Sequence, residues 1–153
     1  MFRFTVWRKG MYQKELYEFH SELKNNASLY RSLAARYDLS ECSFWILYVL
    51  RSNFALMTQR DLCDYLKQPK QSINTGLKKL LDKNYIELSS ADDKRIKYIM
   101  FTETGKKFAE DTIDKVIEAE RKALTGLSDE EKELLFSVFH KYTDLLEERF
   151  SLL

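Results

Sequence analysis

Hydrophobic and polar positions follow a helical spacing over much of this 153-residue chain. A first seam of side chains, spaced alternately by four and three residues, predicts a long helix over residues 11–37 that packs lengthwise on another helix. Asn26 interrupts this seam, as a polar residue that fixes the register of two helices does. The alternative is an ordinary amphipathic helix packed on its own core. The seam consists of Tyr12, Leu16, Phe19, Leu23, Asn26, Tyr30, Leu33 and Tyr37.

The segments on either side of this helix differ in character. Residues 1–10 are aromatic and basic without a clear period, and we expect an extended arm there. After a break at residues 38–39, Ser40 is a suitable N-cap and predicts a second helix that ends near Ser52. Residues 44–50 are apolar on every side, which is typical of a helix buried on most of its surface. The connector that follows can include one short strand.

A pair of short helices is predicted next. The Thr58 side chain can accept a hydrogen bond from the backbone N–H near Asp61, so the first of the two helices begins there. Pro69 suits the first position of the second helix, because no backbone donor is needed at that position. Gly76 lies on the apolar face of the second helix and permits close packing. Asn84 follows its end, since asparagine tolerates the left-handed conformation that ends helices.

A β-hairpin and another helix follow this pair. Residues 85–89 and 96–101 are rich in β-branched and aromatic side chains and predict two strands joined by a polar tip. Thr102 can cap one long helix over residues 103–124, and Gly126 is expected to stop it.

The last helix has a strong local start signal. Ser128 and Glu131 have the spacing of a capping box, which predicts a helix that ends near Phe150. One seam of this helix contains Leu135, Val138, Tyr142 and Leu145.

Composition indicates a soluble globular protein, and the distribution of charge indicates a basic region within it. Apolar residues make up 44% and charged residues 32%, which is the balance of a soluble globular protein. The net charge of +1 conceals an asymmetry. Residues 58–107 carry 11 basic and 7 acidic side chains, whereas residues 108–153 carry 6 and 12. The two short helices and the hairpin are therefore basic, and the C-terminal helices are acidic. We expect this asymmetry if one face of the protein meets a polyanion.

Compartment signals point to the cytoplasm. The longest apolar run, residues 44–50, is too short to span a bilayer, and the first ten residues lack the features of a signal peptide. Cys42 and Cys63 do not make a disulfide framework, so we expect a reducing environment.

The second short helix, over residues 69–83, is the candidate for reading DNA. Beside its apolar face it carries cations, amides and hydroxyls, the groups that bond base edges and phosphates. A helix enters the major groove with its N-terminal part toward the bases. The alternative is the solvated face of a surface helix. We expect base contacts from Lys70, Gln71, Asn74 and Thr75, base or phosphate contacts from Ser72, and phosphate contacts from Lys78 and Lys79.

The hairpin tip carries a second candidate contact. Arginine suits a narrow, electronegative minor groove, so Arg95 and its neighbour Lys94 are expected to contact DNA. Asp93 can orient the guanidinium of Arg95. The alternative is an ordinary solvated hairpin tip.

These segments resemble the MarR family of bacterial transcription regulators, which are dimeric winged helix–turn–helix proteins. TQRDLCDYL (residues 58–66) resembles the first helix of the family's pair, and PKQSINTGLKKLLDKNYI (69–86) resembles its recognition helix. DDKRIKYIMFTETGKKF (92–108) is similar to the wing and the start of the next helix, and LSDEEKELLFSVFHKYTDLLEE (127–148) to the last helix.

Individual positions carry or depart from the family's pattern. The wing motif Asp-x-Arg falls on Asp93, Lys94 and Arg95. Pro69 stands where the family often has a Ser or Thr cap, and Asn84 stands where Gly is usual.

The resemblance implies a mainly α fold of the α+β class in a single domain, residues 1–153. A winged helix–turn–helix core with a two-stranded wing would occupy residues 38–102, flanked by dimerisation helices at residues 1–37 and 103–153. It also implies a cytoplasmic homodimer that regulates transcription, commonly as a repressor, at a palindromic double-stranded DNA operator.

In this family a small ligand commonly relieves repression, and for this chain we expect a small hydrophobic or aromatic one. Relatives place the effector pocket between the core and the dimer helices, where this chain is rich in aromatic residues. The candidates for lining it are Phe19, Tyr30, Tyr37, Phe44, Trp45 and Tyr48, and the other reading of these residues is core packing.

Other functions stay open from the sequence. The modest charge of the core keeps a protein-interaction module without DNA binding as one alternative. A thiol redox sensor is a second alternative, because Cys42 lies in the first turn of its helix, where the positive helix end lowers the pKa of a thiol. The other interpretation of Cys42 is that it is buried as a small hydrophobic residue. His20 and His140 form no local motif, and no phosphate loop or nucleophile elbow is present. We expect no enzyme activity, cofactor or metal.

Overall fold

The computed structural model describes residues 3–53, 55–90 and 96–153, with side chains from residue 12 onward. They form a mainly α fold with a small antiparallel sheet. The elements in chain order are α1 (Arg3–Arg36), α2 (Glu41–Ser52), β1 (Met57–Thr58), α3 (Gln59–Leu66), α4 (Lys70–Asp82), β2 (Ile86–Ser90), β3 (Lys97–Phe101), α5 (Glu103–Asp111), α6 (Ile113–Thr125) and α7 (Asp129–Phe150).

The chain divides into two compact units. The first, Met1–Ala109, contains the pair of short helices and the sheet, and the second, Glu110–Leu153, contains α6 and α7. The assignment of all 153 residues to one MarR-type domain stays a prediction.

Local side-chain hydrogen bonds begin the helices where the sequence predicts. Ser40 accepts from the backbone N–H of Ser43 at the start of α2. Thr58 and Asp61 form a complete capping box at α3, and the hydrogen bonds from Thr58 hold the pKa of the Asp61 carboxyl below its usual value. Ser128 begins α7 in the same way, and Asn84 has the expected left-handed backbone, with φ 54°.

Three boundaries predicted from the sequence are wrong. Residues 3–10 are helical rather than an extended arm: α1 begins at Arg3, because Gly10 costs a helix only about 1 kcal/mol and no proline interrupts it. The single helix predicted over residues 103–124 is two helices, since the backbone at Thr112 (φ −127°, ψ −71°) leaves the helical region. Pro69 is the N-cap of α4 rather than its first helical residue, because its ψ of 143° is extended.

The sheet has the strand order β1–β3–β2, with both pairs antiparallel. Met57 of β1 pairs with Ile99 of β3, and Ile86 of β2 pairs with Phe101. Met57, Ile86 and Ile99 are buried, so this three-stranded sheet contributes one face to the core of the first unit. The two-stranded wing predicted from the sequence corresponds to β2 and β3, and β1 extends it.

Helices α2 and α4 approach each other closely in the core of the first unit. A methyl group added at Gly76 of α4 would lie 2.8 Å from Cδ1 of Ile46 and 3.0 Å from Sγ of Cys42, both on α2. The buried Ser43 hydroxyl donates to the Gly76 carbonyl at 3.3 Å, and the Cys42 thiol donates to the Ser72 carbonyl at 3.3 Å. The expectation that Gly76 permits close packing is confirmed.

A second glycine joins α5 to the sheet. A methyl group at Gly105 would lie 1.7 Å from the carbonyl oxygen of Tyr85, a distance that the backbone does not allow. The Tyr85 and Phe108 rings stack beside it with centroids 4.2 Å apart. The Thr102 hydroxyl caps α5 by accepting from the Gly105 N–H at 2.9 Å.

The Gly76 contact predicts the effect of Gly76→Ala. Overpacking costs about 1–3 kcal/mol, and alanine returns about 1 kcal/mol in helix propensity, so we expect a net loss of up to about 2 kcal/mol in the free energy of unfolding. Urea denaturation measures it.

Ile46→Val provides the matched control, because it removes the terminal methyl group that a side chain added at Gly76 would strike. The double variant should lose at least about 0.5 kcal/mol less than the sum of the two single variants. A Gly76→Ala protein that is more stable than wild type would show that α2 and α4 are not tightly packed at this point.

Candidate nucleic-acid interface

The exposed face of α4 collects most of the residues expected to contact DNA. The helix buries Ile73, Leu77 and Leu80 against the rest of the first unit and turns its opposite face to solvent. That face carries two cations, two amides and a hydroxyl within three helical turns. Its members are Lys70, Gln71, Asn74, Thr75 and Lys78, all of them exposed.

The hydroxyl on this face is already engaged. Thr75 Oγ1 donates to the backbone carbonyl of Gln71 at 3.0 Å, which uses its one hydrogen. Thr75 can therefore offer DNA an acceptor oxygen and a methyl group. The methyl group suits contact with the thymine methyl.

A groove of about 790 Å³ runs between α3, α4 and the sheet. Its rim is polar and basic, and its floor is apolar. Lys70, Asn74 and Lys78 of α4 line one side of it. The other polar lining residues are Thr58, Gln59, Arg60 and Lys97, and the apolar ones include Leu77, Leu81, Leu88, Ile96 and Ile99.

Ser72 and Lys79 lie on a different flank of α4. The Ser72 side chain is half-buried, and its carbonyl accepts from the Cys42 thiol of α2. Lys79 lines a separate depression with Asp38 and Lys83. The structure therefore does not bring these two residues together with the other five on the exposed face.

An ion pair closes that depression and ties the end of α1 to the end of α4. Lys83 Nζ lies 2.5 Å from a carboxylate oxygen of Asp38. The backbone of Asp38 is left-handed, with φ 53°. The hydrogen bond from Lys83 and the attraction of its charge lower the pKa of the Asp38 carboxyl, and the hydrogen bond to Asp38 raises the pKa of Lys83. Both groups are solvated, so the pair fixes geometry more than it adds stability.

The wing residues expected to reach the minor groove are not among those that the structure describes. Asp93, Lys94 and Arg95 lie outside the described residues. Their roles stay predictions from the sequence. Lys97, at the start of β3, is described and is exposed at the rim of the groove.

Four of the six aromatic residues proposed for an effector pocket pack on one another. Tyr30 of α1 lies beside Trp45 of α2 with ring centroids 4.8 Å apart, and Phe44 and Tyr48 lie 5.3 Å from Trp45. Phe44 is fully buried. Phe19 contacts the His20 ring, with centroids 5.9 Å apart, and Tyr37, which follows α1, is half-buried.

The environment of Cys42 disfavours a reactive thiol. Burial raises the pKa of the Cys42 thiol, with a smaller contribution from Cys63 in the same direction, and this outweighs the opposite effect of Lys79. The thiol also donates to a backbone carbonyl, which stabilises its protonated form. Both cysteines are free and half-buried.

The described residues contain neither a metal site nor a membrane-spanning helix. No group of three or more His, Cys, Asp or Glu side chains within them is arranged to hold a metal ion. None of the helices in that part of the chain combines the length and apolar content that crossing a membrane requires.

The sequence predictions missed three polar residues at the groove: Gln59, Arg60 and Lys97. Gln59 Nε2 donates to Asn74 Oδ1 at 2.5 Å, between residues 15 positions apart. The Thr58 cap gives the one available signal, because it places Gln59 and Arg60 in the first turn of the helix that precedes the candidate reader. The approach of this turn to α4 depends on the angle between two helices, which no local pattern encodes.

Comparison with known proteins agrees with this arrangement. The sequence profile of the MarR family matches residues 37–96, which span α2 to the wing. Over these residues the chain matches the MarR family. This match confirms the resemblance inferred from the sequence, and the solved MarR-family structures described next confirm the winged-helix fold.

Individual relatives show how far the likeness extends. YwoH of Bacillus subtilis (strain 168), an uncharacterised HTH-type transcriptional regulator, is 27% identical over 97 residues, 63% of this chain and 70% of its own. The MarR-family regulator NMB1585 of Neisseria meningitidis shares the fold with a TM-score of 0.74 and 22% identity, over 90% of this chain and 96% of its own. S. aureus MepR, solved in complex with DNA, matches with a TM-score of 0.69 and 23% identity, over 85% and 96% of the two chains.

The raised pKa of Cys42 predicts slow alkylation. In a Cys63→Ser variant at pH 7.5, Cys42 should react with iodoacetamide several-fold more slowly than free cysteine, because less of it is thiolate. The rate should keep rising with pH above the pKa of an ordinary thiol, about 8.5.

Mass spectrometry of timed samples measures the rate, with the unfolded variant in urea as the control. Reaction faster than free cysteine at pH 7.5 would contradict the structural reading and restore the redox-sensor alternative.

Proposed function

We propose that the chain is a sequence-specific DNA-binding regulator that acts as a homodimer on a roughly palindromic duplex. The exposed face of α4 carries this proposal. Its 13 residues span about 20 Å, a rod of the size that the major groove admits. Lys70, Gln71 and Asn74 stand at its N-terminal end, which faces the bases when a recognition helix docks.

The charge of the surrounding groove supports duplex binding. Arg60 and Lys97 flank the groove, and Lys78 stands farther along α4, so cations lie on both sides of the amides. Phosphate contacts of this kind supply the sequence-independent part of the affinity. The shared fold with MepR, a protein solved with DNA bound, supports DNA as the partner.

Exposed apolar side chains on α7 support the homodimer. Leu135, Val138 and Leu145 lie along one stripe of this helix, with 49%, 55% and 44% of their surfaces exposed in the single chain. Contiguous apolar surface of this extent marks an interaction site. A second copy would cover it through a two-fold contact, and the two recognition helices would then enter successive major grooves about one helical turn apart.

The remaining parts of the proposal follow from the family resemblance. Residues 1–37 and 103–153 would provide the dimerisation helices around the core at 38–102, and the wing residues Lys94 and Arg95 would contact the minor groove. Repression relieved by a small ligand is the mode that the family most often uses, and for this chain we expect a small hydrophobic or aromatic one. Two free cysteines suit a reducing cytoplasm.

One observation favours a second candidate, a module that binds a protein. Leu81, Leu88 and Ile96 are 38–44% exposed around the same groove, and an apolar floor can receive a side chain of a partner. The salt dependence of duplex binding separates the two functions, because a module that binds only protein should show little affinity for DNA.

Two neighbouring lysines of α4 test DNA binding. Lys78→Ala should lower the slope of log affinity against log salt by about one for each protomer, since it removes one phosphate contact. Lys79→Ala is the matched control: it removes the same charge from the same helix, but on the flank beside Asp38. Its slope should change less.

Fluorescence anisotropy of a labelled duplex over a salt series gives both slopes. Equal slopes for wild type and Lys78→Ala would remove this helix face from the DNA interface.

The α7 stripe predicts the oligomeric state. Wild type should be a dimer at micromolar concentration, and the double variant Leu135→Glu/Leu145→Glu should be a monomer, because two carboxylates would be buried without partners. His140→Glu places the same group on the opposite side of α7 and should leave the dimer intact. Sedimentation equilibrium measures all three, and a monomeric wild type would overturn the homodimer.

A further inference from the structure

A hydrogen bond between two amide side chains spans the angle between α3 and α4. Gln59 Nε2 donates to Asn74 Oδ1 at 2.5 Å. Gln59 is the first residue of α3, and the Thr58–Asp61 capping box fixes the backbone on which it stands. Asn74 lies at the centre of the exposed face of α4, and both side chains line the groove. The bond therefore joins a rigid helix start to the middle of the proposed reading surface.

This contact restricts what Asn74 can present to DNA. A free asparagine side chain rotates and offers either its oxygen or its NH₂ group to a base. Here the Asn74 oxygen accepts from Gln59, so the NH₂ hydrogens are the groups that it can offer to a base. Hydrogen-bond acceptors that match them in the major groove are N7 of either purine, O6 of guanine and O4 of thymine.

We propose that Gln59 is a positioning residue for base recognition, which holds the Asn74 amide so that its NH₂ group faces an acceptor on a base edge. This inference rests on the proposed DNA binding and adds a specificity determinant from outside the recognition helix. Ordering the side chain before binding lowers the entropy lost when the complex forms. Gln59 thus acts through Asn74 and need not touch the base itself.

The test begins with wild type and a randomised duplex library. Repeated selection and sequencing give the preferred base at each position of the site. The selected duplex is then the probe for every variant, with single base changes at each position. Asn74→Ala identifies the position that Asn74 reads, since preference should relax there alone.

Gln59→Met removes the hydrogen bond and keeps the length of the side chain. It should lower the preference for one base over the others at the Asn74 position about 2- to 10-fold, and it should leave the base preferences at the other positions unchanged. Gln59→Met added to Asn74→Ala should change the preference no further. Arg60→Met is the matched control from the same helical turn: it should weaken binding to all duplexes alike.

Gln59→Glu provides a sharper outcome. A carboxylate accepts but does not donate, so it would draw the Asn74 NH₂ group toward itself and turn the Asn74 oxygen to the DNA. The preferred base should change to one that donates, adenine or cytosine. The added charge weakens binding to every duplex, and this loss cancels in the ratio between bases.

Each outcome decides one question. If wild type enriches no sequence, the proposed DNA binding fails, and this inference fails with it. Suppose instead that wild type selects a site but Gln59→Met keeps the full base preference at the Asn74 position. Or suppose that Gln59→Met changes this preference as much in the Asn74→Ala background as in wild type. In either case DNA binding stands and the positioning role of Gln59 is overturned.

Discussion

Helices α2 and α4 approach so closely at Gly76 that an added methyl group would overlap Ile46, and the placement of α4 depends on this contact. Ser43 and Cys42 of α2 donate to the carbonyls of Gly76 and Ser72, one turn apart on α4, and fix its rotation about its own axis. That rotation decides which side chains of α4 are buried and which reach solvent. Helix α2, which is apolar over residues 44–50, thus decides which side chains of α4 are exposed.

The same constraint divides the polar residues of α4 into two groups. Lys70, Asn74 and Lys78 line the groove beside the sheet, whereas Lys79 lies beside the Asp38–Lys83 ion pair on the other flank. In the proposed function the first group meets the duplex. The ion pair beside Lys79 joins the C-terminal end of α4 to the end of α1.

Sequence reasoning predicted the features that depend on neighbouring residues. The caps at Thr58 and Ser128 and the left-handed Asn84 require only groups within a few positions, and the structure confirms them. The break at Thr112 was missed because no proline or glycine marks it. The pairing of Gln59 with Asn74 was also missed, since it depends on how two helices cross, and a helical pattern does not contain that angle.

The central claim is that this face of α4 recognises a particular duplex. Fluorescence anisotropy should compare the DNA upstream of the protein's own gene with a shuffled duplex of equal length, at about 50 and 200 mM salt. Tighter binding to the upstream duplex at both salts, with affinity for both falling steeply as salt rises, is the predicted result. Equal affinity for the two duplexes, or affinity that salt leaves unchanged, would contradict it.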